Sequence, residues 1–135
     1  MVYFLRGFFL LVLASMVAVT SWASWQCPLF GIPREVAIHP WFIATLFDAY
    51  WGFLTFYVWV AYKELSWVSR IAWLVAILLL GNIAMAVYCL VELFWARSSS
   101  KLAELLTERH SQPSWTGVVA ATCGICVVLI AAGVA

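Results

Sequence analysis

Apolar positions in this chain come in long unbroken stretches. Residues 3–23, 41–62, 68–96 and 116–134 form four runs in which polar side chains are rare. Each is about 19 residues or longer, enough to cross a ~30 Å hydrocarbon core as a helix. Helix is the required form, because lipid cannot satisfy open backbone groups. The third run is the longest and is expected to tilt or to project past the interface. The connections differ in kind. SWQCPLFGIPREVAIHP holds three prolines and a glycine and is expected to be irregular, whereas KELSWVSR reads as a tight turn between antiparallel helices. In RSSSKLAELLTERHSQPS, Leu102, Leu105 and Leu106 recur at helical spacing among Lys101, Glu104, Glu108 and Arg109. That pattern predicts a short amphipathic helix lying at the interface, capped by Ser100 and stopped by Pro113. No internal repeat is visible. The expected fold is all-α, one domain over residues 1–135: an integral membrane bundle of four transmembrane helices, with the amphipathic interfacial helix between the third and fourth.

Composition agrees with lipid as the solvent. Of 135 residues, 67% are hydrophobic and 10% charged, against roughly 45–50% and 25% in soluble domains. A soluble chain of this length has no interior large enough to hide that much apolar surface. Nine Trp, nine Phe and five Tyr cluster near the ends of the runs, as interfacial aromatic belts do. A net charge of +1 provides no electrostatic footprint for nucleic acid. The first run also has the outline of a secretory signal: a basic Arg6, the apolar GFFLLVLASMVAV and a small-x-small Ser21-Trp22-Ala23. It is taken here as a retained helix. Four crossings put Arg6, Lys63 and Arg70 on the amino-terminal side and Arg34, Arg97, Lys101 and Arg109 on the other. The terminal amine makes that balance even. The weight of the first helix then favours an internal amino terminus, in a bacterial inner (plasma) membrane.

Asp48 is the only ionisable group well inside the second run. An ionised Asp at a helix centre costs about 2.5–3.5 kcal/mol on insertion scales, so it is expected to turn toward the bundle. Thr45, Asp48, Gly52 and Thr55 make one small polar stripe at helical spacing. In an antiparallel pairing about Leu65 and Ser66, facing positions sum to about 131. Asp48 then falls level with Asn82 and His39 level with Glu92, giving an intramembrane polar layer of Asp48, Asn82, Thr45, Glu92 and His39. Such a layer is a clamp between helices, a proton or ligand site, or a contact with another subunit. Cys123 falls near the depth of Asp48 if the fourth run enters from the same side as the second.

Cys123-Gly-Ile-Cys126 is a C-x-x-C. It suggests a thiol–quinone oxidoreductase, since quinone-linked enzymes of that kind are four-helix bundles with a C-x-x-C at a helix end. Against it, Cys27 is the only loop cysteine, so no shuttle pair exists. Cys123 also lies about two turns inside its helix, where the dipole's effect has faded. His39, His110 and Cys27 match no zinc spacing, and neither His lies within a run, where haem ligation would want one. No metal and no cofactor is expected, and there is no phosphate loop or hydrolase motif.

The second run and its turn carry Ala44-Thr45-Leu46-Phe47-Asp48-Ala49-Tyr50, then Trp59-Val60-Ala61-Tyr62-Lys63-Glu64 and Ser66-Trp67, with Gly81 and Tyr88-Cys89 following. Over roughly residues 40–96 this resembles a plant and bacterial family of multi-pass membrane proteins known as domain of unknown function 1475. The resemblance implies a multi-pass helical membrane protein and no particular reaction. It leaves Cys123 and Cys126 outside the matched part. The expected role is therefore non-catalytic: a structural or accessory subunit of a larger membrane assembly, or of a homo-oligomer. Its surplus aromatic surface would meet the lipid bilayer, partner subunits, or bound lipid or pigment. The alternatives are thiol–quinone oxidoreduction through Cys123 and Cys126, and proton-coupled or small-ligand transport through Asp48.

Overall fold

In the computed structural model, residues 1–95 and 115–131 are described, and among them all regular structure is helical. The order is α1 (Val2–Gln26), a short 3-10 turn (Leu29–Gly31), α2 (Arg34–Ala37), α3 (Pro40–Lys63), α4 (Trp67–Leu80), α5 (Asn82–Trp95) and α6 (Trp115–Ala131). The predicted amphipathic helix lies outside the described residues.

α1 stops where Cys27 adopts an extended conformation before Pro28. Pro40 opens α3 at a position where its missing N–H is not needed. The expected antiparallel turn forms between α3 and α4. It is fastened by the Tyr57 hydroxyl donating to the Arg70 carbonyl at 3.2 Å and by Arg70 Nε donating to the Glu64 carbonyl at 2.7 Å.

The third predicted span does not persist as one helix. Gly81 takes φ +54°, ψ −126°, and it is the only positive-φ residue described. There the chain reverses. Trp73 on α4 and Tyr88 on α5 stack edge-on with centroids 4.9 Å apart, whereas fifteen positions of continuous helix would separate them by about 22 Å. α4 and α5 have 14 residues each, about 21 Å, so neither arm alone spans a ~30 Å core. Two helices, α1 and α3, are long and apolar enough to cross a membrane; α4, α5 and α6 are shorter. The all-α expectation holds among the described residues, the expected bundle of four crossings is not confirmed, and the described part of the third run, 68–95, is a helical hairpin.

α1 packs chiefly on α5, α3 on α4, and α4 on α6. The core is Val60, Ala72, Trp73, Ala76, Ile77, Ala84, Tyr88 and Ala121. α6 approaches α4 closely at two glycines. A Cβ on Gly117 would stand 2.7 Å from Trp73 Nε1, and one on Gly124 would stand 3.1 Å from Leu79 Cβ. Successive contacts at 117 with 73 and at 124 with 79 mean that α6 runs parallel to α4. No residue of α1 is fully buried within the chain.

Candidate functional site

The hairpin brings a charged cluster together where α3 ends. Lys63, last residue of α3, is fully buried and pairs with Glu92 on α5. Its ammonium also lies 5.2 Å from the centre of the Trp59 ring, a favourable cation–π position. Glu64 and Ser69 are buried beside it. Tyr88 fills the centre, with Trp73, Trp59 and Phe56 edge-on at 4.9, 5.6 and 6.0 Å. The Tyr88 hydroxyl is buried and makes no hydrogen bond to a described residue. Cys89 is buried next to it. A buried pair of opposite charges enclosed by aromatic rings holds two elements in register. One partner cannot be removed cheaply, because the other is then left charged and dry.

A second lock lies at the same end. Arg6 on α1 donates from Nε and Nη2 to the Leu93 carbonyl at 3.2 and 2.7 Å, and its guanidinium stands 4.7 Å from the Phe94 ring centre. Leu93 is in the last turn of α5, where carbonyls lack helical partners and a cation is favoured.

The predicted polar layer is not assembled within the chain. Glu92 meets Lys63, not His39. The pairing with His39 assumed a straight third helix, and the reversal at Gly81 returns Glu92 to the level it started from. His39 is exposed at the start of α3. Asp48 and Asn82 are both exposed, and neither side chain bonds to a described residue. Thr45, also exposed, donates to its own helix at the Trp41 carbonyl, 2.8 Å away, and Thr55 does the same at Trp51. The stripe is therefore an uncovered face of α3. An apolar groove lies along this helix, lined by Leu46, Phe47, Tyr50, Trp51 and Leu54. Cys123 and Cys126 are free and exposed, while Gly124 between them turns toward α4. α6 enters from the Lys63 side, opposite to the side assumed for Cys123. The sequence reading missed Lys63, Glu64, Trp73 and Tyr88 as site residues. The available signal was the pair Lys63-Glu64 closing an apolar run, together with a Gly-Asn step halfway along the next.

Among known protein families, a model described as "Protein of unknown function (DUF1475)" matches residues 3–113. The match reaches past both ends of the expected 40–96, takes in α1, and stops before Cys123 and Cys126. No curated protein and no solved structure matches the chain.

Proposed function

The chain belongs to the DUF1475 family, and from that premise we propose that it is a multi-pass integral membrane protein acting as a non-catalytic subunit. Its α3 face, centred on Asp48, docks against helices of a partner. The observation that carries this is the position of Asp48. It lies eight residues past Pro40, about 12 Å inside a helix of 24 residues, and it is exposed, with nothing among the described residues covering it. A carboxylate facing acyl chains is costly, so such residues face a bundle interior or a water-filled cavity. The surface around it supports the same reading: Phe47, Tyr50 and Trp51 stand exposed beside the charge, and aromatic residues are enriched at helix contacts between proteins. Amino terminus inside is the orientation supported by Arg6, Lys63 and Arg70 gathering at one end, with Arg34 the basic residue at the other among those described.

The test is a photo-crosslinking amino acid at Trp51 in intact membranes. A protein adduct is expected, and it should be lost with Asp48→Leu but retained with Asp48→Asn, which keeps hydrogen-bonding capacity. If position 51 yields only lipid adducts, the proposal fails.

A further inference from the structure

We propose that α4 and α5 form a re-entrant hairpin. It enters the bilayer from the amino-terminal side, turns at Gly81 near mid-depth, and leaves on the side it entered. This rests on the reading that α1 and α3 cross the membrane. It reverses the side expected for the connection between α5 and α6.

α3 serves as the ruler. A Cβ on Gly81 would lie 2.7 Å from Phe53 Cζ, so the tip of the hairpin touches the Phe53 ring. Counting along α3, Phe53 is roughly 15 Å from Lys63 and roughly 20 Å from Pro40, close to the middle of the helix. The return arm then passes Phe56 and Trp59 at Tyr88 and reaches Lys63 at Glu92. These contacts advance in order from the middle of α3 to its end. A continuous third crossing would carry Glu92 the opposite way. The same ruler places the other ends. Arg6 on the Leu93 carbonyl brings the start of α1 to this side. Gly117 on Trp73 and Gly124 on Leu79 start α6 there too.

The charges follow. The start of α1 with Arg6, the end of α3 with Lys63, the start of α4 with Arg70, the exit of α5 and the entry of α6 all share one side. The described end of α5 and the described start of α6 both lie on that side, and the sequence between them carries Arg97, Lys101 and Arg109. Basic residues near span ends set orientation. Counted by the described helix ends that flank them, the seven Lys and Arg divide almost evenly under a full third crossing, and under the hairpin only Arg34 is flanked by ends on the opposite side. The hairpin thus removes an electrostatic ambiguity that four crossings leave in place.

The experiment uses the full chain in inverted and right-side-out vesicles, with Cys27, Cys89, Cys123 and Cys126 replaced by Ala or Ser. Single cysteines are introduced at Ile32, Ser66 and Ser98 and treated with a membrane-impermeant maleimide. Ser66→Cys and Ser98→Cys are expected to label from one side, and Ile32→Cys from the other. Ser98→Cys labelling with Ile32→Cys overturns the hairpin and leaves the membrane reading intact. Labelling of all three from both sides, with release of the protein by alkaline carbonate, overturns both. A second measurement is thiol cross-linking of Lys63→Cys/Glu92→Cys in the membrane. With a short bifunctional thiol reagent long enough to bridge the reach of the two native side chains, an intramolecular cross-link is expected; its absence under conditions that cross-link a surface pair counts against the hairpin.

Discussion

Lys63 closes a helix that is otherwise apolar, and burial makes its pairing with Glu92 obligatory. Replacing Lys63 by Met strands the carboxylate among aromatic rings. The expected loss is about 3–5 kcal/mol, read as a lowered melting temperature in fluorescence-detected size-exclusion chromatography. Replacing Lys63 and Glu92 together by Met should cost less than the sum of the two single exchanges, since the pair is then removed as a unit, although Glu64 stays buried beside it. Gly81 is constrained twice, by a positive φ and by the Phe53 ring 2.7 Å from the position of a Cβ. Gly81→Ala should destabilise by at least about 1–2 kcal/mol from backbone strain alone. Phe53→Leu in the same chain should recover the steric part and not the backbone part. Arg6→Gln, which keeps a donor but removes the charge at the end of α5, is expected to cost about 0.3–2 kcal/mol in the same assay.

Between elements, glycine decides which helices touch. At Gly117 a side chain would have to displace the buried Trp73 indole, so Gly117→Leu should separate α6 from α4 and lower the melting temperature. Cys123→Ala and Cys126→Ala, on the exposed face of the same helix, should move stability by no more than about 0.5 kcal/mol. This contrast also shows what was legible in the sequence. The two long helices, the turn at Leu65-Ser66 and the antiparallel pairing of α3 with α4 follow from apolar run length and from polar residues at the turn. The reversal at Gly81 does not. Apart from Asn82 directly after it, the residues close to Gly81 are apolar, and a nearly unbroken apolar run has no periodicity to lose when the chain turns back. Everything that depended on a straight third helix moved with it: the partner of Glu92, the level of His39, the direction of α6. Asp48 and its polar stripe stand out in the sequence as the anomalous face and are expected to turn toward the bundle, but in the structure that face is left exposed.

As a whole, the molecule is held by a small aromatic core at one end and presents long helices with little of themselves buried. α1 buries no residue, and α3 buries only Val60 and Lys63. On the function proposed above, a chain built this way completes its packing against lipid and against other protein. Asp48 distinguishes the two, because acyl chains have nothing to offer a carboxylate. The family match over residues 3–113 includes the α3 face and the hairpin, so the proposed docking surface lies within the matched residues, and the C-x-x-C of α6 lies outside them. The most direct test is the mass of the particle that carries this chain when membranes are excised into native nanodiscs without detergent. Wild type is predicted to be in a protein assembly well above the 15.2 kDa of one chain, and Asp48→Leu is predicted to shift it toward a single chain while still inserting in the membrane. A lone 15.2 kDa chain in both samples would contradict the account.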